Sequence, residues 1–250
     1  MIKANQPHIF DKTKLRAWVS SKQDGTMKSN NADDLQEVSA AIEAVAQQGE
    51  FSYDRIVAMN VGTPDIWDDI VDITSSPGRA MVSIADRIPA DALVTTRTDV
   101  VLMLPVADCN AVAIHDPVRQ VLSLVHLGWQ STEAELATKI ITYLVNHHGS
   151  NPSDLRIYVS PSIRSESYVF DKVKQGDDSA WQPFLHKTEK GVGIDLPGYN
   201  RQRFIDAGVP ADSIEICPVN TATSGDYFSH YRAVRTGEFD GRFALFAQLI

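Results

Sequence analysis

The chain has 250 residues, with 23 Lys and Arg against 32 Asp and Glu and a formal charge of −9. That balance argues against a partner held by its phosphate backbone, so no nucleic acid is expected. With 43% hydrophobic and 22% charged residues the composition is that of an ordinary globular protein, neither disordered nor fibrous, and the length lets it bury a large core without disulfides. Two cysteines, Cys109 and Cys217, cannot build a four-cysteine zinc site and suit a reducing, cytoplasmic compartment in which they stay unbridged. The polar start MIKANQPHIFDKTK lacks the apolar stretch of a signal peptide. The longest apolar block, about eight residues around 100–107, is less than half of a bilayer crossing, so no membrane partner is expected.

In chain order, a strand is expected at 16–20. Residues 32–48 then place Leu35, Val38, Ile42 and Val45 at spacings of three and four, the pattern of an amphipathic helix. Asn31 would cap its start and Gly49 its end. Strands follow at 55–61 and 66–73. The second has an acidic exposed face, and its Asp65, Asp68, Asp69 and Asp72 lack the glycine and terminal Glu of a calcium loop. Residues 99–104 read as a buried strand that Pro105 stops. Strands at 111–115 and 120–125 flank AspProValArg, a turn that Asp116 initiates and Pro117 shapes. Thr132 opens a helix through the capping box ThrGluAlaGlu, with Leu136, Ile140 and Leu144 as its core stripe and Gly149 at its end. A strand at 156–159, helical stretches at 168–174 and 198–207, a strand at 213–217 and a last strand from 242 complete the chain. No repeat breaks this alternation, which implies an α/β (α+β) fold, a single domain over 1–250 with a mixed sheet covered by helices.

Chemistry concentrates at two points. ValAlaAspCysAsn, residues 106–110, sets Asp108 and Cys109 side by side just past a buried strand, and HisLeuGlyTrpGln, residues 126–130, brings His126 up to a glycine turn before a helix. A helix start there offers free N–H groups to an anion, and Gly128 allows close approach. Cys109 and His126 can be two ligands of one zinc, or a thiol and imidazole pair with Asp108 carrying or orienting a proton. A small buried hydrophobe and a hydrogen-bonded scaffold histidine describe the same two residues equally well. His147 and His148 suit the helix end at Gly149. His115 precedes a turn and His186 sits in a charged stretch, without a functional signal. PheSerHisTyrArg, residues 228–232, with Gly241 and Arg242, collects groups that could grip a phosphate or sugar, and a solvated polar loop explains them as well.

Taken together, AspAlaLeuVal (91–94), ValAlaAspCys, HisLeuGlyTrpGln, SerProSerIle (160–163), AspLeuPro (195–197), PheSerHisTyrArg and GlyArg (241–242) resemble the laccase-domain family in order and interval from about residue 90 onward. That family was long labelled multicopper polyphenol oxidase and is now described as purine nucleoside phosphorylase, with a peptidoglycan-editing branch. The resemblance implies one α/β domain with a His, Cys, His zinc site, in which Cys109 and His126 match two ligands. The third position, a histidine in the family, falls on Gly62. The family's turn arginine is Gln130 here, its ThrThrArg reads Ser20, Ser21 and Lys22, and an arginine of its PheSerTyrArgArg motif is Tyr231.

The resemblance therefore implies phosphorolysis of adenosine, inosine or methylthioadenosine, or deamination of adenosine, at a zinc site weakened by Gly62. Asp108, Cys109 and His126 would be catalytic, Cys109 and His126 would hold the metal, and Lys22, Gln130, Ser229 and Arg232 would contact sugar or phosphate. The expected partners are a purine nucleoside and phosphate, with self-association into a homo-oligomer left open. An amide hydrolase acting on a cell-wall precursor, and an inactive ligand-binding or interaction protein, are the alternatives. Polyphenol oxidation is not expected, because a laccase needs several coppers and the 7 histidines here are scattered.

Overall fold

The computed structural model describes residues 2–29, 33–61 and 67–250. Asn31, Gly62, Asp65 and Ile66, which carried expectations above, lie outside them. The strands in chain order are β1 (Leu15–Val19), β2 (Ile56–Asn60), β3 (Ile70–Asp72), β4 (Ile88–Pro89), β5 (Ala92–Thr95), β6 (Val101–Val106) and β7 (Asn110–Asp116). They continue with β8 (Val121–Leu127), β9 (Arg156–Val159), β10 (Val169–Phe170), β11 (Leu185–Thr188), β12 (Gly191–Ile194), β13 (Ile214–Ile216) and β14 (Phe243–Leu249). The α-helices are α1 (Leu35–Gln48), α2 (Trp129–Glu133), α3 (Leu136–His148), α4 (Leu196–Asp206) and α5 (His230–Thr236).

The expected α/β fold with mixed pairing is present, and its strands divide between two large sheets and a small one. The orders are β1-β14-β6-β2-β4, β13-β9-β7-β8-β5-β3 and β10-β12-β11. Alternation along each strand explains the layering. Leu102, Leu104 and Leu245 of the five-stranded sheet meet Leu93, Ala113, Leu122 and Leu124 of the six-stranded sheet in one buried cluster. The opposite face of the first sheet, with Ile56, Val101, Met103 and Phe246, takes Val38, Ile42 and Val45 of α1. The opposite face of the second, with Val112, Ile114 and Val125, takes Leu136, Ile140 and Leu144 of α3 and Phe204 of α4. The layers run helix, sheet, sheet, helix, and strands buried on both faces read as continuous apolar runs.

Several local expectations are corrected. Pro105 does not stop β6, which runs to Val106. Pro105 lies opposite Ala244, whose backbone bonds to Ser20 on the other side. The proline nitrogen therefore faces β2, whose pairing with β6 has ended at Met103, and no ladder bond is lost. Thr132 is not a cap: α2 begins three residues earlier, and Thr132 is buried, accepting a hydrogen bond from Asn200 Nδ2 at 3.1 Å. Glu135, at φ 60°, breaks the run before α3 starts. The expected helix at 168–174 is instead β10 and a 3-10 turn, because Val169 and Phe170 pair with Gly193 and Val192. The polar tail at 228–232 is not a loop; Ser229 caps α5, its hydroxyl accepting from Arg232 N at 3.1 Å.

Candidate active site

Sheet geometry assembles the centre. β6 belongs to one large sheet and β7 to the other, so residues 107–109 must cross between the sheets. Asp108 makes that reversal at φ 77°, a left-handed conformation that costs a non-glycine residue about 1–2 kcal/mol. On β8, His126 follows Leu122 and Leu124 by alternation and so faces the inter-sheet side, at its rim. Antiparallel pairing of Ala92 with Val125 sets Asp91 directly across from His126, whose N–H donates to Asp91 O at 2.8 Å.

The side chains of Asp91, His126 and Cys109 form a chain. His126 Nδ1 lies 3.0 Å from Asp91 Oδ1; a carboxylate only accepts, so Nδ1 carries the proton and Nε2 faces inward. A Cβ added to Gly128 would stand 3.2 Å from both His126 Nε2 and Cys109 Sγ, so imidazole and thiol border a space one methyl wide. Glycine at 128 is required by this approach, since its φ of −87° suits any residue. Burial disfavours the imidazolium, but Cys109 and the hydrogen-bonded Asp91 favour it more, and the balance lifts His126 to about 9. Asp91, 1% exposed, is the functional residue that sequence reasoning missed as such. The signal was present in AspAlaLeuVal, but its partner is fixed by β5–β8 pairing.

Asp108 stands beside this chain and braces it. Oδ1 accepts from Thr221 Oγ1 at 2.6 Å, and Oδ2 from Tyr231 N at 2.7 Å in the first turn of α5. Three cavities adjoin here through shared lining residues. One of about 490 Å³ holds His126, Cys109, Lys28, His230 and Arg242. The next, about 370 Å³, adds Asp108, Tyr231 and Arg235, and the third, about 530 Å³, is walled by Trp129, Tyr168 and Phe170. Trp129 and Gln130 border all three.

Of the expected substrate contacts, only Gln130 lines these cavities, from an exposed position. Arg232 is committed to the scaffold: Nη1 donates to Thr221 O and Ser224 O, each at 2.7 Å, Nη2 to Tyr227 O at 2.9 Å, and Nε to Glu238. Lys22 pairs with the same Glu238 at 3.1 Å, and Ser229 is buried as a cap. His230, Tyr231 and Arg235, their neighbours in the chain, face the cavities instead. The helix start offered as an anion site is five residues long and ends at Glu133, too short for an aligned dipole.

Cys109 and Cys217 are both free. Among the described residues no three His, Cys, Asp or Glu side chains are grouped to hold a metal ion. Cys109 and His126 are two donors, with Asp91 orienting the histidine as a partner of a metal ligand would. A catalytic zinc takes three protein donors, so the described set falls one short. No helix among the described residues is long and apolar enough to cross a membrane.

Fold and site together define a class of protein: two face-packed mixed sheets whose rim carries a thiol, an imidazole and an aligned carboxylate. Within that class, the chain belongs to the multi-copper polyphenol oxidoreductase laccase family, whose model matches residues 18–249. It is 27% identical over 147 residues to the purine nucleoside phosphorylase YlmD of Bacillus subtilis (strain 168), covering 57% of this chain and 53% of that one. It is 30% identical over 155 residues to a purine nucleoside phosphorylase of Deinococcus radiodurans, covering 59% and 58%. The aligned part thus spans little more than half the length of these relatives. The crystal structure of YlmD from Geobacillus stearothermophilus superimposes with a TM-score of 0.85 at 24% identity, over 100% of this chain and 97% of that chain. Bacillus licheniformis hypothetical protein YfiH gives 0.82 at 24%, over 95% and 93%, so the fold is shared along the chain.

Proposed function

We propose that this protein is an enzyme that processes purine nucleosides, with phosphorolysis as its main reaction. One observation carries the reading: three cavities adjoin through the shared Trp129 and Gln130, two of them lined by Cys109 and one also by His126, and base, sugar and phosphate are three parts of matching character. Trp129, Tyr168 and Phe170 offer aromatic faces to a purine, and the middle cavity receives the ribose. Relatives named purine nucleoside phosphorylase support the same substrate class. In the reaction a phosphate oxygen bonds to C1′ as the C1′–N9 bond breaks, and its electron pair leaves with the purine. The dihydrogen phosphate anion gives up one proton and the purine takes one, so charge and atoms balance. His126, aligned by Asp91, is the group able to pass that proton on.

Cys109 and His126 would hold zinc only weakly, and when bound it would polarise an oxygen of the reactant. We therefore assign the steps above to side chains, and rank adenosine deamination second, since a two-donor site is a poor source of hydroxide. Free thiols at 109 and 217 accord with a cytoplasmic location. The order Asp91, His126, Cys109 favours a second reading, a thiol amide hydrolase in which Cys109 attacks a cell-wall precursor. Purified protein assayed on inosine, adenosine and methylthioadenosine, with and without phosphate, separates the readings. Phosphate-dependent release of free purine supports the first. Hydrolysis of a peptide precursor, abolished by thiol alkylation, replaces it with the second. Neither turnover, with a nucleoside still raising the melting temperature, would make the protein a binding module.

A further inference from the structure

The cavity lined by both Cys109 and His126 carries basic side chains from three separate stretches of chain. Lys28 comes from the segment after β1, while His230 opens α5 and Arg242 leads into β14; all three line one space with His126 and Cys109. Their placement is built into the backbone. Thr26 Oγ1 accepts from Arg242 N at 3.1 Å and from Lys28 N at 3.5 Å, and Met27 N donates to Arg242 O at 2.8 Å. One hydroxyl thereby locks Lys28 and Arg242 side by side. Among the described residues one carboxylate serves the group: Asp240 Oδ1 lies 2.6 Å from Arg242 Nη1, and Oδ2 lies 2.9 Å from His230 Nδ1.

Behind Lys28 stands a further positive charge. Arg87, 4% exposed, donates through Nη2 to Met27 O and Val82 O, and its Nε and Nη1 have no hydrogen-bond partner among the described residues. Burial, with Arg242 and Arg87 close by, pushes the Lys28 ammonium down. The like charges of Lys28, Arg242 and Arg87 repel each other in this half-buried space, and an anion between Lys28 and Arg242 relieves that repulsion.

We propose that Lys28, Arg242 and His230 form an oxyanion site that takes inorganic phosphate and aims it across Cys109 and His126 at the middle cavity. The inference rests on the nucleoside reading for its purpose, but not for its chemistry. It replaces the expected contacts Ser229 and Arg232, which the scaffold consumes, and it compensates for the missing charge at Gln130 with cations from elsewhere in the chain. A phosphate monoester, such as the 5′-phosphate of a nucleotide, presents the same group.

Calorimetric titration with inorganic phosphate, adenosine and adenosine 5′-monophosphate tests this on the wild type and on Lys28→Gln, Lys28→Arg and Arg242→Gln. Phosphate binding should weaken about tenfold in each Gln variant and stay within about threefold in Lys28→Arg, while adenosine binding holds. If the monophosphate binds better than adenosine and loses that gain in Lys28→Gln, the site takes the ester rather than free phosphate, and the role of co-substrate site is overturned. Unchanged phosphate affinity in Lys28→Gln, at an unchanged melting temperature, overturns the site altogether. The nucleoside reading fails separately: Lys28-dependent phosphate binding without turnover of any nucleoside would leave the anion site standing and remove that reading. Should Arg242→Gln disturb folding through Asp240, Lys28→Gln decides alone.

Discussion

Asp91 acts through His126 and touches no substrate cavity, so it is a positioning residue. Replacing it as Asp91→Asn keeps the shape but removes the charge that favours the imidazolium, and allows the wrong tautomer. Turnover should fall roughly 10²–10⁴-fold with KM nearly unchanged. His126, which its surroundings raise to about 9, should titrate by NMR more than about one unit lower in the variant than in the wild type. A loss of turnover with the titration unmoved would mean that Asp91 only supports the fold. A second residue-scale prediction concerns Gly62, which the sequence pattern puts at the third ligand position. Gly62→His should tighten zinc about tenfold or more in competition with a chelator, since it completes a three-donor set. An unchanged affinity would show that the N-terminal register of that pattern is wrong.

At the scale of elements, Gly49 ends α1 as expected, but not through a left-handed conformation: its φ is −85° and Glu50 takes the positive value of 56°. Gly49 is needed for space: a Cβ there would lie 2.4 Å from Phe51 Cε2, and the Phe51 ring stacks on Phe246 at 6.0 Å. Gly49→Ala should therefore destabilise by about 1–3 kcal/mol through displacement of Phe51, read by urea unfolding. The paired variant with Phe51→Leu should recover part of that loss, as overlapping effects are not additive. The hairpin between β7 and β8 behaved as its sequence promised, with Asp116 Oδ1 accepting from Val118 N and Arg119 N, each at 2.9 Å. Its contacts are local, within three residues. The capping box at Thr132 failed because Gly128 and Ser131 already close the turn. Ser131 Oγ accepts from Gly128 N at 3.0 Å and donates to His126 O at 2.8 Å, so the helix start is tied to His126.

For the whole molecule, two buried histidines set opposite slopes of stability against pH. His115, fully buried beside Phe10, has no hydrogen-bond partner on either ring nitrogen among the described residues, and burial pushes it down to about 4. Between about 4 and 6.5 the unfolded chain binds this proton and the folded chain does not, so stability falls as pH falls through that window. His126 has the reverse sign: raised to about 9, it favours the folded state fully below 6.5 and loses that contribution as pH rises through 9. Their combined contribution peaks near 6.5. Unfolding measured from pH 4 to 9 should show that maximum, and His115→Leu should flatten the acid limb alone, by about 3 kcal/mol at its foot. An acid limb unaltered by His115→Leu would refute the assignment.

What the sequence determined by itself was local or periodic: α1, α3 and α4, most large-sheet strands, the Asp116 turn, and the clustering of Asp108, Cys109 and His126 near one glycine. Spacing of apolar residues and turn chemistry act over a few positions, so they are readable without the rest of the chain. The tertiary structure alone decided that the strands form two sheets rather than one, because either partition buries the same apolar runs. It also decided Asp91, whose role exists only once β5 lies beside β8, and the gathering of Lys28, His230 and Arg242, which are separated by up to the length of the fold. Ser229 and Arg232 read as ligand groups because their residue types fit. Only the course of α5 showed that their hydrogen bonds are spent on the backbone and on Glu238, and that His230 and Tyr231 face the cavity in their place. A charged or polar side chain carries no mark in the sequence of which partner satisfies it, since that partner is supplied by chain remote in number and adjacent only after folding.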